Sequence, residues 1–315
     1  MSTQINNNQI ENENLEINET NLIQEEVLQE GSQEVSHEAT LYAEPIAHIG
    51  NFQITNALFT SWIVVVLIII IACIIKFKIK MIPKKFQSFF EFMLEGAMDL
   101  ADQVTGDKKI TAKVFPLAFS IFIFVLINNW IGLLPLGGFG IIEVGEHGKA
   151  FIPFIRSGTA DINTTLALGL MSVFASNIFG IVSIGAWKMF NKYVNVKAFG
   201  DMIKKIRKEP TLLISTPIMF FVGILELIGE FAKVASLSFR LFGNVFAGEV
   251  LLMSMSAIVA YILPLPFMAL EIFVGVIQAF IFALLTLVYF TIAAQDHDEH
   301  EEHEEHSTEK LAEAH

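Results

Sequence analysis

The stretch Ser236-Leu-Ser-Phe-Arg240-Leu-Phe-Gly-Asn244-Val-Phe-Ala-Gly-Glu249 sets a guanidinium inside a greasy run. Between Pro217 and Leu263 the only basic residues are Lys233 and Arg240. An arginine at bilayer depth costs about 2.5–3.5 kcal/mol even on lenient insertion scales, and from mid-span it cannot snorkel to the headgroups. It must face protein, water or a passing carboxylate, where its permanent charge favours the ionised form of that acid. On a helix, Ser236, Arg240 and Asn244 share one face with Gly243 and Ala247 beside them, and small residues let a neighbouring helix approach closely. Glu249 lies about half a revolution away and about 13 Å further along the axis, so the two charges cannot pair within the helix. The structural alternative is an arginine paired with an acid on another helix, for instance Glu271.

The elements that must hold these residues are apolar helices. The 315 residues are 53% hydrophobic, far more than a soluble domain of this length needs, which makes the chain a polytopic, all-α membrane protein. The net charge of −13 comes from its two ends: residues 1–56 hold ten acids and no Lys or Arg, and the tail after Ala294 holds nine acids and one Lys. No basic nucleic-acid surface is present. The single cysteine, Cys73, excludes a disulfide within the chain and a cysteine zinc site. Residues 1–45 read as a disordered acidic segment without signal-peptide features, 46–295 as the membrane domain, and 296–315 as a flexible acidic tail. That tail spaces His297, His300, His303 and His306 by three and lacks a metalloprotease motif, so no metal site is assigned to it.

Five spans are predicted. Ala57–Ile75 is followed by Lys76, Lys78, Lys80, Lys84 and Lys85, which puts its far end in the cytoplasm and the N-terminus outside. Phe86–Val104 carries Glu91, Glu95, Asp99 and Asp102 at helical spacing and reads as an interfacial amphipathic helix. Val114–Leu134 returns outward, with Trp130 as an interfacial anchor. Ile162–Trp187 comes back in, with Asp161, Asn163 and Thr164 as candidate caps, and seven basic residues from Lys188 to Lys208 mark the cytoplasmic side again. Pro217–Leu263 is roughly 70 Å long if helical, against about 30 Å of hydrocarbon, so it is either broken near Glu230–Lys233 or steeply inclined.

The stretch around Arg240 closely resembles the signature of subunit a of the rotary F-type ATP synthase. Gln278-Ala-Phe-Ile-Phe-Ala-Leu-Leu-Thr-Leu-Val-Tyr289 is similar to that family's last helix. Thr159-Ala-Asp161-Ile-Asn163 and Asn128-Asn-Trp130-Ile-Gly-Leu-Leu-Pro135 extend the resemblance, which runs from about Phe52 to Ala294. It implies the inclined version, with the long helix and a final one from about Pro266 to Ala294 forming a tilted hairpin and the C-terminus in the cytoplasm. Glu226 is then near the cytoplasmic end, Arg240 central, and Glu249 in the outer half. Glu271, with Gln278 seven residues later on nearly the same face and Tyr289 eleven beyond, makes a polar stripe on the last helix. Glu249 and Glu271 fall in one leaflet, where they could share an aqueous pocket.

The resemblance further implies a stator with two offset half-channels that pass protons to and from the carboxylates of a c-ring rotor. Arg240 separates the two, and Ser236, Asn244, Glu249, Glu271, Gln278, Glu226 and Tyr289 line the route. Peripheral-stalk b subunits, the other ATP synthase subunits and the lipid bilayer are the implied partners, in a bacterial inner membrane. No cofactor and no catalytic residue is implied, and no phosphate-binding loop occurs. Three departures stand out. Glu271 occupies a place where some members have histidine, Val234 one where many have proline, and Arg156-Ser-Gly replaces a Pro-containing version. Glu226 and Glu230 with Lys233 read equally as an ion-paired helix end, and Gln278 and Tyr289 as packing groups. The alternative from another class is an autonomous channel or secondary transporter, although no internal repeat is visible.

Overall fold

The computed structural model of the chain describes residues 43–50, 52–80, 85–134, 140–145, 148–189, 212–259 and 262–294. The N-terminal segment up to residue 42, most of the basic run between Lys188 and Lys208, and the His-rich tail lie outside the described residues. A short antiparallel hairpin, β1 (Pro45–Ile49) and β2 (Phe52–Thr55), leads into α1 (Asn56–Lys78). Thr55 caps that helix by accepting from Leu58 N at 3.3 Å. The buried residues of α1, Asn56, Ala57, Thr60, Ser61 and Val64, all belong to its first nine positions. Beyond them its Val, Leu and Ile side chains are exposed, as suits a helix bathed in lipid over most of its length.

The amphipathic helix α2 (Lys85–Thr105) ends at Gly106, whose φ of 69° reverses the chain without a Cβ penalty. Asp107 then caps α3 (Lys108–Leu133) by accepting from Lys109 N at 2.8 Å. Ala101 of α2 is seated against Val114, Phe115 and Ala118 of α3 and Leu287 and Phe290 of a later helix, so α2 is packed on its neighbours at its C-terminal end. A second antiparallel hairpin, β3 (Gly140–Gly145) and β4 (Gly148–Pro153), lies in the connection between α3 and the next spanning helix. It leads through a 3-10 turn at Gly158–Ala160 into α4 (Ile162–Ile184). Asp161 caps α4, accepting from Asn163 N at 3.3 Å, and Asn163 and Thr164 also donate to its carboxylate. Capping is the role their types suggest.

The long apolar run is one continuous helix, α5 (Leu212–Ile258), 47 residues without interruption at Glu230–Lys233 or at Val234. At about 1.5 Å per residue it is roughly 70 Å long. The broken alternative is therefore excluded. The last helix, α6 (Pro264–Ala294), follows after a short link. Among the described residues five helices, α1, α3, α4, α5 and α6, are long and apolar enough to cross a membrane. Their common core joins Ile121 and Val125 of α3, Val173 of α4, Leu237 and Leu241 of α5, and Ala279 and Phe282 of α6. Gly169 brings α4 close to α5, since a Cβ there would meet Ser238 Oγ and stand 3.1 Å from the Val234 carbonyl oxygen.

Candidate functional site

Along α5 and α6, polar residues meet in antiparallel order. The Glu271 carboxylate lies against the Cα of Gly248, Asn244 Nδ2 donates to Gln278 Oε1 at 3.1 Å, and Lys233 Nζ sits 5.3 Å from the centre of the Tyr289 ring. The stripe spaced seven and eleven residues apart on α6 thus runs along the polar positions of α5. Gly248 is what admits Glu271, because any side chain there would occupy the space of the carboxylate.

Beside the C-terminal half of α5 is a cavity of about 490 Å³ whose lining includes Asn244, Glu249, Glu271 and Gln278. All four are among the residues that the resemblance implies line the proton route. The same cavity is lined by Asn129 of α3 and by Arg156 from the segment between β4 and α4. Arg156 is 6% exposed and forks onto Glu249: Nε donates to Oε1 at 3.0 Å and Nη2 to Oε2 at 2.8 Å. This buried, bidentate geometry is the strong form of an ion pair.

Arg156 is held in place by a segment wedged among three helices. Its own N–H donates to Thr60 Oγ1 of α1 at 3.3 Å, Ser157 Oγ donates to the Asn128 carbonyl at 3.0 Å, and Thr159 Oγ1 donates to Asn129 Oδ1 at 2.7 Å. Asn129 Nδ2 continues the chain to the Gly275 carbonyl of α6 at 3.1 Å. Gly158 fits because a Cβ would press on Ser61 Oγ and on Asn128 Oδ1, so proline in its place would demand a different path. Two buried polar atoms, Asn128 Oδ1 and Gln278 Nε2, have no protein partner among the described residues. Gln278 lines the cavity, where water can satisfy it.

Arg240 is elsewhere. Its side chain is on the exposed surface of α5, where Nη2 donates to Ser236 Oγ at 3.2 Å. Among the described residues no carboxylate pairs with it, which removes the structural alternative of an Arg240–Glu271 bridge. Gly243, Asn244 and Ala247 continue the same exposed stripe.

Toward the N-terminal half of α5 lies a second polar group. Lys233 Nζ pairs with Glu230 Oε1 at 2.7 Å, and Asn177 Nδ2 of α4 donates to Glu230 Oε2 at 3.1 Å. Tyr289 joins through its ring over Lys233. Glu226, one turn further along α5, is half-buried and away from the cavity. The sequence alone gives no site role to Arg156, Asn177 or Gly248. The fork spans 93 positions, and nothing in a one-dimensional period connects its ends.

A family model described as ATP synthase A chain matches residues 58–291. The chain belongs to the ATP synthase A chain family. The match covers the cavity, the exposed arginine and the inner polar group together, and it runs from the first turn of α1 to the last of α6. The protein is thus an integral membrane subunit of the F-type ATP synthase's membrane sector, the proton-transporting part of that complex, and its partners include other ATP synthase subunits.

Proposed function

We propose that this subunit a forms two offset aqueous half-channels, with Arg240 standing between them as the charge past which the carboxylates of a c-ring must travel. The observation that carries the reading is the state of Arg240: a cation on the exposed face of a membrane helix, its one hydrogen-bond acceptor among the described residues the hydroxyl of Ser236. Such a cation is stabilised when an external carboxylate comes opposite it, and it favours the loss of that carboxylate's proton. The small residues Gly243 and Ala247 allow a rotor helix close contact.

The cavity bearing Glu249, Glu271, Asn244 and Gln278 is the outer half-channel, and the group of Glu226, Glu230, Lys233 and Tyr289 lines the inner one. A proton enters from outside, neutralises a rotor carboxylate, travels with the ring, and leaves on the inner side as the carboxylate returns toward Arg240. The guanidinium cannot give up its own proton, so no relay crosses directly between the two cavities. Each elementary charge moved through the full potential releases about 2.3 kcal/mol per 100 mV, which a leak would waste. The subunit itself is non-catalytic. The lysines after α1 and the basic run after α4 favour an outside N-terminus, and the unbroken α5 then carries the chain outward so that α6 returns the C-terminus to the cytoplasm. The family reading adds a bacterial inner membrane and peripheral-stalk b subunits as stator partners.

Arg240→Ala tests this directly in membrane vesicles carrying the whole complex. Gradient-driven ATP synthesis and ATP-driven proton pumping are expected to vanish while subunit a remains in the complex at its normal amount. Coupled synthesis at the unaltered rate would overturn the proposal.

A further inference from the structure

A second cavity, of about 780 Å³, lies between the C-terminal end of α1 and the first half of α2. Its walls are mainly apolar, with Ile74, Phe77 and Ile79 on one side and Leu94 and Met98 on the other. Phe77 is 84% exposed, and no residue of α1 beyond Val64 is buried, so the described chain leaves this end of the helix largely uncovered. One side chain builds the mouth. Gln87 Oε1 accepts from Lys80 N at 3.1 Å, and its Nε2 donates to the Lys80 carbonyl at 2.9 Å and to Glu91 Oε1 at 2.8 Å. That amide fixes the chain just past α1 against the first turn of α2.

Charges of both signs face this cavity, Lys78 and Lys80 from one wall and Glu91 and Glu95 from the other. Among the described residues these lysines and glutamates form no ion pair with one another. A lone anion would suit only the lysines and a lone cation only the glutamates. A molecule carrying both charges on an apolar body satisfies the two walls and the greasy lining at once.

We infer that the cavity between α1 and α2 binds a glycerophospholipid whose headgroup carries a phosphate and a primary ammonium. The phosphate meets Lys78 and Lys80, the ammonium meets Glu91 and Glu95, and acyl chain lies along Ile74, Leu94 and Met98. A lysine at a span's end holds its ammonium at headgroup level while its stem stays on apolar surface, which is where a lipid phosphate is found. The cavity volume falls within the roughly 300–1,000 Å³ of small-molecule sites. The lipid supplies the packing that α1 lacks beyond Val64 and fastens α2 beside it. No lining residue is shared with the cavity of Glu249 and Glu271, so the inference is independent of the half-channel reading.

The test uses the complete ATP synthase, stripped of lipid in detergent and reconstituted into phosphatidylcholine vesicles. These contain a trace of either phosphatidylethanolamine or phosphatidylglycerol with a photoactivatable diazirine in the acyl chain. Crosslinks on subunit a are mapped by mass spectrometry, with the exposed face of α4 around Phe174 and Val182 as the reference for unselective lipid contact. The ethanolamine probe should label residues 74–80 and 87–98 at least about fivefold above the reference, the effect of a single charge contact at a membrane surface. The glycerol probe should stay at the reference level.

Lys78→Gln/Lys80→Gln should bring the ethanolamine labelling down to the reference, and Glu91→Gln/Glu95→Gln should abolish the preference between the two probes. Equal labelling of the natural protein by both probes, or more by the glycerol probe, would overturn the headgroup assignment. Labelling of residues 74–80 and 87–98 at the reference level with both probes would overturn the site, as when a helix of another subunit fills it. Should the charge variants fail to assemble, Leu94→Trp decides, since it fills the cavity without altering a charge. Ethanolamine labelling of residues 74–80 should then fall to the reference, and unchanged labelling would overturn the inference.

Discussion

Helices α5 and α6 run antiparallel and share the polar contacts of the site, yet they treat their residues in opposite ways. Over its most apolar stretch α6 buries 39% of its residues inside the protein, whereas α5 buries 11%. On α6 the polar residues Gln278, Thr286 and Thr291 are buried. On α5 the polar residues Ser236, Arg240 and Asn244 are on the exposed surface, and it is mainly Leu237, Ser238, Leu241, Phe242 and Gly248 that turn inward. One helix is the wall of the bundle and the other its outer face. A membrane helix that buries so little and still carries a charge at mid-length is shaped for something beyond its own chain.

The comparison predicts unequal costs for equal substitutions. Phe282 of α6 is 1% exposed at the centre of the core, and Phe282→Ala should destabilise the protein by about 3–5 kcal/mol, read as a lowered unfolding midpoint in detergent. Phe239 of α5 is 61% exposed, and Phe239→Ala should change the same midpoint by no more than about 0.5 kcal/mol. Equal losses at the two positions would erase the distinction between wall and face. Arg240→Ala belongs with Phe239 in that assay, its midpoint unmoved while coupling is lost, because among the described residues its side chain makes one hydrogen bond, to Ser236, and no ion pair.

Much of this was legible in the chain. The apolar lengths give five spans, the acidic stripe of α2 gives its amphipathic character, and Asp161 announces the start of α4. Once the resemblance had chosen the inclined hairpin, counting along its two helices put Asn244, Glu249, Glu271 and Gln278 in one region, and all four line one cavity, because helical periodicity converts number into direction. What periodicity cannot see is contact through an irregular segment. In the sequence Arg156 stands out only as part of the Arg156-Ser-Gly departure from the family's Pro-containing version. Only folding shows that Ser157, Gly158 and Thr159 thread between α1 and α3 and deliver its guanidinium to Glu249. The hairpins before α1 and after α3 escaped for a related reason, being strands of four to six residues, too short to print a clear alternation on the sequence. The continuity of α5 through Val234 could not be settled from an apolar run alone, since a turn and an unbroken helix share the same composition.

The account stands or falls on what meets the exposed stripe of α5. Gly243 takes an added side chain with nothing within 4 Å, whereas Leu241, two residues away, is fully buried at 0% exposure. With Cys73 replaced by serine, Gly243→Cys and Leu241→Cys can each be paired with a cysteine placed beside the acidic residue of the ring subunit and oxidised in the membrane. The account predicts a disulfide-linked product of the two subunits from position 243 and none from position 241. No product from 243, or equal products from both, would contradict it.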